Sequence, residues 1–299
     1  MDKKMPKNSH FIFSETFGET HNPAILLNAG AGNQLIIWPE RFCKDLAAKG
    51  YFVIRYDYRD TGLSAHVPNE EPYTVLDLAQ DAIEILKKYH LEKATFVGFS
   101  MGGQLAQFVG AYFPQYAENL ILIATSTDFK SGFDALMGNL SEGGGLSTPK
   151  PEYLAFLAEA WDFSEFTLEK KIDFYVEVAK VLEGRPKDFE EDFFRNQAQE
   201  NYERTPLNAP HAHTEAMLAS FDLHQKAPEL IQIPTLIIHG EKDPIFPLDH
   251  AEALKNRIKD SKLLIWDDFG HAISPRHFTR LITAIDSFIK KGREEKLKK

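Results

Sequence analysis

The sequence predicts an α/β fold: a mostly parallel sheet flanked by helices and interrupted by a helical insertion. Three observations carry this reading. From Asn22 to about Thr127, short apolar runs alternate with longer stretches of helical periodicity, the rhythm of successive βαβ units. From about Asp128 to Ile231 no comparable strand signal occurs. The rhythm then returns at Thr235. One core cut by an insertion explains this better than two tandem domains, whose final strands would lack a sheet to join. The expected division is core 1–127, helical cap 128–231 and core again 232–299.

Each element can be placed in order. Ala24–Leu27 is a short apolar strand running into the turn Asn28-Ala29-Gly30-Ala31-Gly32. Pro39–Lys49 reads as a helix stopped by Gly50, and Phe52–Tyr56 as the next strand. Val75, Leu78, Ala82, Ile85, Leu86 and Tyr89 recur at helical spacing. Ala94–Gly98 is a strand ending at Ser100, followed by a helix through Tyr112 that Pro114 closes. Leu120–Thr125 is one more buried strand. The insertion holds helical stretches near Tyr153–Trp161, Leu168–Leu182 and Asp188–Tyr202, after a loose turn at Ser141–Gly145. The closing elements are a strand Thr235–His239, a helix near Leu248–Ile258, a strand Lys262–Trp266 and a helix from His277 to Ile289. The charged tail GREEKLKK is expected to fray.

Composition narrows the function classes. Charged residues make up 26% and hydrophobic residues 43% of the 299, as in ordinary globular proteins. A net charge of −10 disfavours nucleic acid and anionic membrane surfaces as partners. The single cysteine, Cys43, excludes an intramolecular disulfide and any multi-cysteine metal site. The basic start MDKKMPKNSHFIF lacks a secretory apolar region, and no run approaches the roughly 18 apolar residues of a membrane span. A cytoplasmic enzyme acting on a small molecule is expected.

Gly98-Phe99-Ser100-Met101-Gly102 follows a strand and opens a helix, the context that gives G-x-S-x-G chemical meaning. A serine on such a tight turn projects its hydroxyl beyond the carboxyl edge of the sheet. Side chains two residues before and after would collide with it, so Gly98 and Gly102 make the turn possible. Ser100 is the expected nucleophile.

An acid and a histidine should follow, each past a late strand. Asp243 follows Thr235–His239, and His271 follows Lys262–Trp266. His271 would take the serine proton while Asp243 fixes its tautomer. Glu241 and Asp128 are rival acids, whereas Asp267 and Asp268 stand too near His271 in sequence. Of the 11 histidines, His239 reads as a strand-end residue, and His211, His213 and His224 fall in the insertion. The oxyanion hole is expected from the N–H groups of Met101 and of Ala31, with Gly30 as the alternative to Ala31. No metal or organic cofactor is required.

These residues resemble the α/β-hydrolase superfamily, over nearly the whole core. Phe17-Gly18, then ILLNAGAGNQLIIWPERFCKDLAAKGYFVIRYDYRDTGLS and VGFSMGG, are similar to the branch that contains aclacinomycin methylesterase. That resemblance implies an eight-stranded, mostly parallel sheet with a helical cap after the sixth strand. It also implies methyl-ester hydrolysis by a serine, an aspartate and a histidine, falling in this chain on Ser100, Asp243 and His271. Many relatives carry His-Gly at the oxyanion turn where this chain has Ala29-Gly30. Asp57, Arg59 and Asp60 are expected to form a structural loop with internal ion pairs rather than a carboxylate site.

The expected reaction is acyl transfer through an acyl-enzyme. A C–C hydrolase, a lactonase, an aminopeptidase or a perhydrolase could use the same triad, and a non-catalytic ligand receptor could keep the fold. Phe129, Phe133, Tyr153, Phe156, Trp161, Phe163, Phe166, Phe174, Tyr175, Phe193, Phe194 and Tyr202 make the insertion aromatic. At least two-thirds of them are expected to pack the cap itself, the rest lining an apolar pocket.

Overall fold

Completely buried strands read as unbroken apolar runs, and the computed structural model shows why these ones do: helices cover both faces of their sheet. It describes residues 10–68, 70–136, 145–159, 166–204 and 210–298. Strand β1 (Ser14–Phe17) precedes β2 (Ala24–Asn28), helix α1 (Glu40–Ala47) and β3 (Phe52–Tyr56). Then come α2 (Val75–Lys88), β4 (Ala94–Phe99), α3 (Met101–Tyr112) and β5 (Ala117–Ile123). Helix α2 starts at a capping box, in which Thr74 and Asp77 satisfy each other's backbone N–H groups.

Among the described residues the sheet has seven strands, in the order β1-β3-β2-β4-β5-β6-β7. Only β1 is antiparallel, pairing Ser14 with Tyr56 and Phe17 with Val53. The resemblance implied eight strands; residues 10–13, ahead of β1, are irregular, and residues 1–9 lie outside the description. The chain runs outward from β2 to β3 in one direction and from β4 to β5 in the other. The sheet therefore reverses between β2 and β4, and ligands of open α/β sheets bind beyond the carboxyl ends at such a point.

Between β5 and β6 (Thr235–Gly240) the described residues form six helices: α4 (Lys130–Leu136), α5 (Pro151–Glu159), α6 (Leu168–Leu182), α7 (Glu191–Arg204), α8 (Pro210–Ala219) and α9 (Phe221–Leu230). Helices α8 and α9 pack against α2 and α3, and their Ala216 and Ala227 join the main core. Helices α6 and α7 share a smaller core of Val176, Ala179 and Phe194, which Ala272 completes. The expected turn at Ser141–Gly145 lies almost wholly outside the described residues.

After β6 come α10 (Leu248–Arg257), β7 (Ser261–Trp266) and α11 (Pro275–Leu297). Helix α11 corrects the expectation of a frayed tail, since it runs on through the charged segment. Its Lys290 pairs with Asp286 one turn back, and Arg293 reaches Glu118 on β5. Among the described residues, no helix is long and apolar enough to cross a membrane.

Candidate active site

Ser100 occupies the turn from β4 into α3 with φ 54° and ψ −120°. A positive φ on a residue bearing a Cβ is strained and persists only where its surroundings impose it. Its N–H donates to the Ile123 carbonyl at 3.0 Å, and its carbonyl accepts the Thr125 hydroxyl at 2.7 Å. Neither glycine has room for a Cβ, but the nearest clashes are with neighbouring backbone rather than with Ser100, the clash expected from the sequence. A Cβ on Gly98 would lie 2.1 Å from the Gly102 carbonyl oxygen, and one on Gly102 would lie 2.3 Å from that of Asn28.

The turn after β2 stands beside Ser100. A Cβ on Gly30 would lie 3.4 Å from the Ser100 Cβ, which is van der Waals contact, so the two loops stand side by side. Gly30, Ala31, Ser100 and His271 line one cavity of about 410 Å³. Met101 is buried at the first position of α3, where a backbone N–H has no acceptor within its own helix.

Asp243 and His271 meet directly. His271 Nδ1 lies 2.7 Å from Asp243 Oδ2. The other carboxylate oxygen accepts the N–H groups of Ile245 and Phe246 at 2.8 and 2.9 Å. Burial would raise the Asp243 pKa, but His271 and His239 beside it and its hydrogen bonds outweigh that and hold it below the usual value. The His271 ring sits against Phe99, the residue before Ser100, at 5.0 Å, and against Phe246 at 5.5 Å. The His271 N–H donates to the Leu182 carbonyl at 2.6 Å, which fastens this loop to the end of α6.

The rival acids are elsewhere. Glu241, Asp267 and Asp268 are exposed. Asp128 accepts the Lys130 and Ser131 N–H groups at the start of α4. His239 is the penultimate residue of β6, near the strand end as expected, with Nε2 at 2.8 Å from the Phe246 carbonyl.

Asp57, Arg59 and Asp60 have structural partners, with one difference from expectation: the ion pairs of Asp57 and Arg59 leave the loop, while Asp60 accepts the Val67 N–H nearby in sequence. Asp57 binds Arg204 of α7 at 2.6 Å, and Arg59 binds Asp81 of α2 at 2.6 Å. Arg204 also donates to Gln34, and Gln197 donates to the Ile36 carbonyl, so α7 is fastened over the segment that follows the β2 turn. Sequence reading did not find this seam, because its partners stand 147 to 170 positions apart.

The cavity lining is predominantly apolar. Phe129, Phe133, Tyr153, Tyr175 and Phe194 face it, half of the ten expected aromatics that are described, where a third or fewer was expected. Phe156 instead stacks on Phe174 at 5.5 Å, and Trp161 and Phe163 lie outside the described residues. Among the described residues, no three His, Cys, Asp or Glu side chains converge in a way that could hold a metal ion.

Comparison with known proteins agrees with this architecture. A family model described as the alpha/beta hydrolase fold matches residues 23–277. The rhodomycin D methylesterase DnrP of Streptomyces peucetius is 30% identical over 279 residues, covering 88% of this chain and 89% of that protein. An esterase from Exiguobacterium antarcticum superposes with a TM-score of 0.68 at 20% identity, over 94% of this chain and 96% of that one. The 2-hydroxy-6-oxo-6-phenylhexa-2,4-dienoate hydrolase of Rhodococcus sp. strain RHA1 does so at 0.73 and 20%, over 97% and 98%. Such distant structural likeness speaks for the fold, while the family match and the relative spanning most of the chain settle kinship. The chain belongs to the alpha/beta hydrolase family.

Proposed function

We propose that this enzyme cleaves an apolar carboxylic ester, a methyl ester in particular, through Ser100, His271 and Asp243. The observation that carries the reading is the buried His271–Asp243 hydrogen bond at 2.7 Å, beside a cavity that Ser100 also lines. With Nδ1–H donated to the carboxylate, the other ring nitrogen is the basic one.

In this mechanism Ser100 Oγ attacks the ester carbonyl as His271 Nε2 takes its proton. The carbonyl oxygen gathers negative charge, which the N–H groups of Ala31 and Met101 stabilise. His271 then protonates the departing alcohol, and the acyl group remains on Ser100. Water attacks next, giving its proton to His271, and the acid leaves as Ser100 recovers its hydrogen. Asp243 stays ionised throughout and stabilises the imidazolium.

The methyl-ester assignment draws on the rhodomycin D methylesterase relatives. A small leaving group also allows the cavity to be devoted to the acyl part, and about 410 Å³ suits a drug-sized group. Segment 128–231 would serve as the cap, with α4 to α7 roofing the cavity and α8 and α9 anchoring it to the core. A cytoplasmic setting belongs to the same reading, since the buried thiol of Cys43 needs no oxidising compartment.

Reaction with a fluorophosphonate probe tests the proposal. Stoichiometric labelling of wild type, lost in Ser100→Ala and His271→Ala, together with turnover of apolar methyl esters, is the expected result. A folded wild type that neither labels nor turns over any ester would overturn it.

A further inference from the structure

One fully buried polar side chain of the cavity, Gln104, has no hydrogen-bond partner among the described residues, at either Nε2 or Oε1. It stands in the first turn of α3, four residues after Ser100, with its backbone N–H donating to the Ser100 carbonyl at 3.3 Å. Gln107, on the same helix, provides the contrast. Its amide donates to the Gly103 and Ser126 carbonyls, and its oxygen meets His224. Other polar side chains lining the cavity are also engaged. Asn33 donates to the Ala31 carbonyl, Tyr175 to Gln197, and Lys130 pairs with Asp134.

A carboxamide carries two donors and an acceptor, and native interiors rarely leave such a group unmatched. We propose that Gln104 is a specificity-determining residue that receives a hydroxyl or amide group of an otherwise apolar ester, within the cavity that Ser100 also lines. The proposal rests on the esterase reading of the same cavity. A hydroxyl answers both halves of the carboxamide, donating to Oε1 and accepting from Nε2. A bare hydrocarbon answers neither and leaves the amide desolvated, so the site rejects it.

The test is a matched set: methyl naphthylpropanoate and its ring-hydroxylated isomers. Wild type and Gln104→Met, whose side chain has nearly the same length without the amide, are compared by kcat/KM. The same ligands are titrated by calorimetry into Ser100→Ala, with and without Gln104→Met. Wild type should prefer at least one hydroxylated isomer by about tenfold to a hundredfold, with KM rather than kcat carrying the difference. Gln104→Met should abolish that preference while still processing the bare ester. Absence of preference for any isomer in wild type, or an equal preference in Gln104→Met, overturns the proposal. Failure of wild type to turn over any ester would instead remove the esterase reading. The calorimetric comparison in Ser100→Ala still decides Gln104 in that case.

Discussion

His271 Nδ1 lies 2.7 Å from Asp243 Oδ2, and the carboxylate that receives it is fully buried with its second oxygen held by two backbone N–H groups. Asp243 is thus fixed in orientation before any substrate arrives. Asp243→Asn keeps the volume but offers an amide that cannot both accept the imidazole proton and keep its ionic partner. Turnover of a methyl ester should fall by about 10⁴-fold with folding retained, as when the orienting acid of such a set is neutralised. Glu241→Gln, altering an exposed neighbour, should change turnover less than twofold. Equal effects of the two substitutions would contradict Asp243 as the orienting acid.

The parts of this site most legible in the sequence stand at the ends of buried strands. β4 and β6 are buried along their whole length, so they appear as apolar runs whose last residues lead directly into Ser100 and the Asp243 loop. β1 escaped notice because its four residues, three half-buried and one exposed, pair at one edge and leave no apolar run. Helices α4, α8 and α9 were also missed. They are seven to ten residues long, and α8 is apolar on no particular face. The Arg204–Asp57 pair belongs to tertiary structure alone, since local pattern carries no trace of a partner 147 positions away.

Gly102 sets how closely α3 approaches the end of β2. An added Cβ would meet backbone oxygens, Asn28 O at 2.3 Å and Ala29 O at 2.6 Å, which cannot rotate away. Gly102→Ala should therefore destabilise by about 3 kcal/mol or more, the upper range for overpacking, and should displace Ser100 as well. Gly50→Ala, with nothing within 4 Å of its added Cβ, meets no clash and has only its φ of +91° to oppose it. Chemical denaturation of both variants should show Gly102→Ala as the weaker fold.

Glu183 ends α6 beside the His271 loop, and Gly270 packs against its backbone. Among the described residues neither carboxylate oxygen has a partner at hydrogen-bond geometry, and burial pushes its pKa up to about 7, offset only in part by Ser274 and Arg276 nearby. The folded protein then binds a proton that the unfolded chain, titrating near 4.5, releases earlier. Stability must fall as pH rises between those two values, and the penalty is complete above about 7. Glu183→Gln should remove that slope and gain on the order of 2 kcal/mol at pH 8, with little change at pH 4. Denaturant midpoints at the two pH values read the difference directly.

His213, brought down from α8, holds the turn that follows β2. Its Nδ1 accepts the Gly32 N–H at 2.9 Å, and its Nε2 lies 3.0 Å from the Arg59 carbonyl oxygen. Nδ1 as acceptor and Nε2–H as donor require the neutral ring, and burial lowers its pKa, which keeps it so. Tyr58 and Tyr73 pack edge-on against the ring, and the charges bearing on it are Asp60 and Arg59, which oppose each other. Gly32 neighbours Ala31, the proposed oxyanion donor, so losing this bond loosens the donor without removing it. His213→Ala should lower kcat by about tenfold, less than the 10²–10³ expected for deleting a donor outright, and should leave KM nearly unchanged. His213→Asn, whose amide oxygen can still accept from Gly32, should recover part of the loss. The lowered pKa also carries a sign: the unfolded chain takes up the His213 proton first, so stability falls as pH drops below about 6.5. His213→Asn should flatten that part of the stability profile, and a profile identical to wild type would show that the ring does not titrate on unfolding.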